Sequence, residues 1–149
     1  MIQKHHIVFL TGAGISQESG ISTFRDANGL WNNHKLEEVA SPEGFEKNPQ
    51  LVLDFYNARR RQLDEVNPNE AHHLIAQLET KYNVTIITQN IDDLHERAGS
   101  TNVLHLHGEL RKCRSSKNSN LTSNCTQDIK LGDLASDGNQ LRPNIVWFG

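Results

Sequence analysis

Four short runs of β-branched and aromatic residues each stop on a glycine or a polar turn, and this pattern constrains the chain more than any other feature. His6-Ile7-Val8-Phe9-Leu10-Thr11 stops at Gly12, and Val84-Thr85-Ile86-Ile87-Thr88 stops at Gln89. Val103-Leu104-His105-Leu106-His107 stops at Gly108, and Ile145-Val146-Trp147-Phe148 stops at Gly149. Continuous runs of this length predict strands buried on both faces of a parallel sheet, and hence an α/β fold with a Rossmann-like sheet. In such a sheet ligands bind at the C-terminal edge of the strands. The residues at the four stops are therefore the first candidates for chemistry.

About seventy residues separate the first two runs, far more than one crossover helix needs. From Asn48-Pro49 to Val66, residues Leu51, Phe55, Tyr56, Arg59, Leu63 and Val66 recur at three- and four-residue spacing, which predicts a helix. Asn67-Pro68-Asn69 ends it and caps another over 70–81, with Leu74, Ile75 and Leu78 on one face. Residues 26–81 thus read as a helical insertion. A second insertion, 111–142, is rich in Ser, Asn, Asp and Gly and lacks apolar periodicity, so a loosely ordered lobe is expected there. The expected organisation is one domain over 1–149, with 1–25, 82–110 and 143–149 forming the Rossmann-like part. The formal net charge of −3 gives no cationic field for nucleic acid or anionic lipid. No apolar run is long enough for a membrane span, and a cytoplasmic protein is expected. Without an export signal, Cys113 and Cys125 are not expected to pair.

Gly12-Ala13-Gly14 follows a strand and precedes Ile15-Ser16, a plausible helix start whose N–H groups suit a pyrophosphate. A plain tight turn would use the same residues. The dehydrogenase fingerprint wants a third glycine where Gln17 stands and an acidic residue about twenty residues on; neither is present. Phe24-Arg25 sets a ring that can exclude water beside a guanidinium that suits a phosphate, or forms a surface turn with one anchored ring. Gln89-Asn90-Ile91-Asp92 groups amides and an acid that match a carboxamide, or form an Asx turn. His107, at a strand end before glycine, is the best placed of eight histidines to act as a base, ahead of His72, His73, His95 and His105.

Together these motifs resemble the sirtuin family of NAD-dependent protein deacylases. The resemblance rests on Gly12-Ala13-Gly14-Ile15-Ser16, Ser19-Gly20-Ile21, Phe24-Arg25, Thr88-Gln89-Asn90-Ile91-Asp92-Asp93-Leu94-His95 and Ala98-Gly99. It continues through His107-Gly108-Glu109-Leu110 and the run from Leu141 to Gly149. It implies NAD as co-substrate and acyl-lysine proteins or peptides as partners. The acyl oxygen would attack the nicotinamide ribose, nicotinamide would leave, and His107 would activate a ribose hydroxyl. Gly12, Ala13, Gly14, Ile15, Ser16, Phe24, Arg25 and Trp31 would line the cofactor, Gln89 the ribose, and Asn90, Ile91 and Asp92 the carboxamide. Val146, Phe148 and Gly149 would pair with the substrate backbone. Tyr56 and Arg59, three apart on the predicted helix, resemble the acyl-carboxylate pair of the bacterial desuccinylating group. Taken without the resemblance, that segment reads as a basic helix face. Desuccinylation and deacetylation are the expected reactions. A non-catalytic NAD or ADP-ribose binding module and a protein ADP-ribosyltransferase are the alternatives.

Two departures from the family pattern shape these expectations. Cys113 and Cys125 each lack the close second cysteine of a zinc-binding pair, so no structural zinc is expected. Family members also continue past the residue matching Gly149. The sequence as given is accordingly expected to hold only part of the cofactor site, to expose apolar surface, to be poorly soluble and to show little or no activity.

Overall fold

The computed structural model describes residues 4–21, 30, 31 and 33–149. In chain order the elements are β1 (His6–Thr11), α1 (Gly14–Gln17), β2 (Leu30–Trp31), β3 (His34–Lys35), α2 (Leu36–Val39), α3 (Pro42–Lys47) and α4 (Pro49–Glu65). They continue with α5 (Glu70–Leu78), β4 (Asn83–Thr88), α6 (Leu94–Arg97), β5 (Val103–His105), β6 (Gly108–Ser115), β7 (Thr122–Asn124) and β8 (Leu141–Ile145).

Three of the four apolar runs make one parallel sheet in the order β1-β4-β5. Its register pairs Phe9 with Ile86, Thr11 with Thr88, Ile86 with Val103 and Thr88 with His105. Side chains alternate along a strand, so Phe9, Ile86, Val103 and His105 share one face. Only that face is covered by the described residues. Ile86 and Thr88 are fully buried, while Val8 (55%), Leu10 (68%) and Leu104 (54%) on the opposite face are exposed. Burial on both faces, expected from the apolar runs, is not observed.

The fourth run differs. Only its first residue, Ile145, lies in a strand, β8, which pairs antiparallel with β6 in a second sheet of order β7-β6-β8, and Val146 to Phe148 are not in a strand. This sheet gives order to 111–142, where a loose lobe was expected. The lobe has a small core of Leu53, Cys113 and Ile129. It is fastened by polar side chains of α4, which apolar periodicity does not reveal. Asn57 Nδ2 donates to Ile129 O at 2.8 Å, and Ile129 N donates to Asn57 Oδ1 at 2.9 Å. Arg60, buried beside it, donates from Nε to Leu110 O at 3.0 Å and from Nη1 to Asn57 Oδ1 at 2.8 Å. No group of three or more His, Cys, Asp or Glu among the described residues could hold a metal ion.

The long helix forms as its sequence predicts. Asn48 caps it, Oδ1 accepting from Leu51 N at 3.1 Å, and Pro49 occupies the first turn. Its apolar stripe, Val52, Phe55, Tyr56 and Leu63, packs with Val39, Leu110, Ile145 and Trp147 into the main core. The core therefore joins the helical insertion to the segment that follows β8. No helix among the described residues is long and apolar enough to cross a membrane.

Candidate functional site

Because β1 and β4 are parallel and in register, their two terminal loops emerge at one edge, where Gln89 N donates to Thr11 O at 2.9 Å. Ser16 ties the loops together. Its Oγ donates to Asp92 Oδ2 at 2.9 Å and accepts from Asn90 Nδ2 at 3.1 Å. Asn90 Nδ2 also reaches Gly12 O at 3.1 Å, and Asp92 Oδ1 accepts from Leu94 N at 3.1 Å. Ser16, Asn90 and Asp92 are all buried. Burial pushes the Asp92 carboxyl above the ordinary carboxylate range, against the bonds from Leu94 N and Ser16 that stabilise its charge. Ile15 is half-buried, Ile91 packs against the main core and Gln89 is exposed.

The helix after Gly12-Ala13-Gly14 is one turn, Gly14–Gln17, with Ala13 already helical at its cap. A macrodipole of that length is slight, so the expected dipole contribution is small. Neither Gly12 nor Gly14 has a positive φ, and a Cβ at either would meet no described atom within 4 Å. Neither backbone conformation nor the described neighbours demand these glycines.

The third run ends as a strand at His105, and Leu106 and His107 form a turn into β6. Exposed His107 places Nδ1 3.0 Å from Gln89 O. A carbonyl only accepts, so Nδ1 carries the proton and the neutral ring keeps its lone pair on Nε2. Gly108 has φ 84°, and a Cβ there would lie 2.0 Å from Asn144 O. Glycine is thus compulsory after this histidine. His107 O accepts from Val146 N at 2.9 Å, which joins the turn to the last residues described. His105, which the sequence did not single out, bonds Asn90 O through Nδ1 at 2.8 Å and Glu96 Oε1 through Nε2 at 2.7 Å.

Tyr56 and Arg59 are neighbours on α4 as their spacing predicts, but Tyr56 lies in the core with no exposure. Its hydroxyl accepts from Trp147 Nε1 at 3.1 Å, and the indole face carries the Arg142 guanidinium 3.2 Å from its centroid. Burial raises the phenol above its ordinary value, while Trp147, Arg142 and Arg59 pull the other way. Arg59 donates to Phe55 O at 2.9 Å and lies 4.0 Å above the Phe55 ring. Burial depresses Arg59, opposed by Tyr56. Burial, and then the Arg114 cation, take Arg142 down to about 9. Val146 (58%) and Phe148 (57%) point outward, and Phe148 N donates to Ala40 O at 2.9 Å. Gly149 is exposed. Phe24 and Arg25 lie outside the described residues, as does the side chain of Trp31.

Known proteins resemble this chain in sequence and in fold. An NAD-dependent protein deacylase of Helicobacter pylori is 65% identical over 144 residues, covering 97% of this chain and 63% of that protein. A Bacteroides thetaiotaomicron protein of the same name is 57% identical over 150 residues, covering 97% and 64%. This chain therefore spans about three fifths of the length of these relatives. Among solved structures, a Sir2 homologue mutant in complex with ADP-ribose has 44% identity and a TM-score of 0.86, covering 99% of this chain and 60% of that one. A complex of a Sir2 homologue with NAD has 44% identity and a TM-score of 0.83, covering 99% and 58%. The Sir2 family model matches residues 12–149, a span that holds both loops, the histidine turn and the antiparallel lobe, and the chain belongs to that family.

Proposed function

We propose that this chain serves NAD-dependent deacylation of protein lysine side chains, with succinyl and acetyl groups as the acyl classes and nicotinamide and O-acyl-ADP-ribose as products. The observation that carries the reading is His107, fixed through Nδ1 to Gln89 O and so left with a basic Nε2, at the edge where Ser16 joins Asn90 and Asp92. NAD supplies an electrophilic carbon at the nicotinamide ribose. The residues here fit it. Asn90 and Asp92 present oxygens that suit a carboxamide NH2, and the space before Gly12 and Gly14 holds no described atom within 4 Å of a built Cβ. The names of the relatives, and the NAD and ADP-ribose complexes of the solved neighbours, support the same cofactor.

In this reading Gly12, Ala13, Gly14, Ile15 and Ser16, with Phe24, Arg25 and Trp31, shape the cofactor site. Gln89 meets the ribose, and Asn90, Ile91 and Asp92 orient the carboxamide. His107 Nε2 takes a ribose hydroxyl proton as a general base. Arg59 and Tyr56 read the acyl carboxylate, Arg59 from the half-buried face of α4 and Tyr56 beside it in the core. Val146 and Phe148 donate their N–H groups to His107 O and Ala40 O, so alternation along an extended segment directs the main-chain N–H groups of Trp147 and Gly149 to the opposite edge, where Val146, Phe148 and Gly149 would pair with a substrate strand.

The test is to incubate this chain, and in parallel the same sequence within a protein of the relatives' length, with NAD and a succinyl-lysine peptide. Nicotinamide release together with loss of the succinyl mass is expected of the protein of the relatives' length. ADP-ribose added to protein would assign a transferase instead, and NAD binding without either product a non-catalytic module.

A further inference from the structure

His105 bonds two groups that can only accept: the Asn90 carbonyl at Nδ1 and the Glu96 carboxylate at Nε2. A neutral imidazole has one N–H and can satisfy one of them. Both bonds together require a proton on each nitrogen. The ring lies on the covered face of the sheet, its side chain only 6% exposed, beside a partly exposed Glu96. We propose that His105 is a positioning residue, held as an imidazolium between Glu96 and the Asn90 carbonyl, that fixes the Asn90 loop for its amide ligand.

This inference rests on the deacylase reading, in which Asn90 and Asp92 take the carboxamide. His105 and His107, two apart, hold the successive carbonyls of Asn90 and Gln89. The first carries charge and anchors the loop, whereas the second is left with a basic nitrogen. The groups facing His105 agree with this charge. Among the described residues, Glu96 on α6, Asp92 in the loop and Glu109 on β6 face it with carboxyl groups, and His95 on α6 acts in the other direction. Burial disfavours the charge on His105, but the bonds to Glu96 and Asn90 and the field of Glu96 and Glu109 outweigh it, so the ring titrates above its ordinary value. Glu96 is held below its own ordinary value by the same ring, although burial acts against this.

Nitrogen-15 NMR of the histidine rings, from about pH 6 to about pH 9, tests the charge on this chain without any ligand. Both His105 nitrogens are expected at the protonated shift at neutral pH. Glu96→Gln, a change at a partly exposed side chain, is expected to move the titration to lower pH with the fold intact. A neutral ring at pH 7 in the wild type, or an unmoved titration in Glu96→Gln, overturns the proposal. Nicotinamide and ADP-ribose binding, measured by calorimetry on the same sequence within a protein of the relatives' length, test the positioning. His105→Gln and Glu96→Gln are each expected to weaken nicotinamide about tenfold, the loss of a charge-assisted bond, and to leave ADP-ribose within about twofold. Unchanged nicotinamide affinity, or equal loss of both ligands, overturns the positioning role alone. A wild-type protein of the relatives' length that binds neither ligand refutes the deacylase reading and this role with it, while the NMR result still decides the charge.

Discussion

Ser16 Oγ donates to Asp92 Oδ2 at 2.9 Å, across 76 positions of sequence, and so makes one unit of two loops that leave different strands. Ser16→Ala removes that donor and strands a buried carboxylate. A loss of about 1–3 kcal/mol in stability is expected, read by denaturant unfolding. The Asp92 carboxyl, already raised by burial, should titrate higher still. An unchanged unfolding midpoint would show that the tie is dispensable.

His107→Ala removes the basic Nε2 and leaves the Gln89 loop in place. Steady-state deacylation, read as loss of the acyl mass, should fall by about a hundredfold or more, with NAD affinity nearly unchanged by calorimetry. Parallel loss of both would make His107 a binding residue.

Arg59→Met keeps the bulk of the side chain over Phe55 and removes its charge. Desuccinylation should fall by at least about tenfold more than deacetylation, compared as kcat/KM on matched peptides. Equal losses would refute the carboxylate role.

His72 is fully buried, and its ring is depressed to about 4, first by burial and then by the neighbouring His95 and His73. The folded chain holds it neutral, whereas the unfolded chain protonates it below about 6.5. Stability should therefore decline as pH falls from about 6.5 toward 4. Tm measured across that window should drop less in His72→Gln than in the wild type. Identical slopes would remove His72 from the acid response.

Asn57→Ala leaves the buried Ile129 N–H and C=O without their side-chain partner. The expected cost is roughly 2–3 kcal/mol, with amide exchange rising in β6, β7 and β8 before the parallel sheet. Uniform exchange throughout would show that the lobe and sheet unfold together.

The strands β1 and β4 and the helix α4 were legible because β-branched runs and a three-to-four spacing report burial directly. Asn48-Pro49 even marked where α4 begins. The lobe was not legible, since Asn57 and Arg60 hold it by hydrogen bonds to main chain, and a polar residue on a helix reads the same whether solvated or buried. Trp147 was read as a strand residue, yet it closes the core against Tyr56. The loop residues Gly12 to Ser16 and Gln89 to Asp92 were found in sequence. Their joining through Ser16 was not, because it depends on the register of two strands distant in sequence. His105 was passed over for the same reason, as its two acceptors lie on a loop and a helix that only the fold brings together.

Gly108 has a further consequence. Its register with Ile145 closes the strands β6 and β8 at their base, and the approach of Asn144 O leaves no room there for a methyl group. Residues 109–144 therefore leave and rejoin the chain at one point, and Asn57 and Arg60 of α4 fasten them from the side. Length changes in the hairpin turn between Ser115 and Thr122 lie away from those ties and leave the spacing between His107 and Val146 untouched. The outer turn is free to vary while the reactive edge stays in gauge.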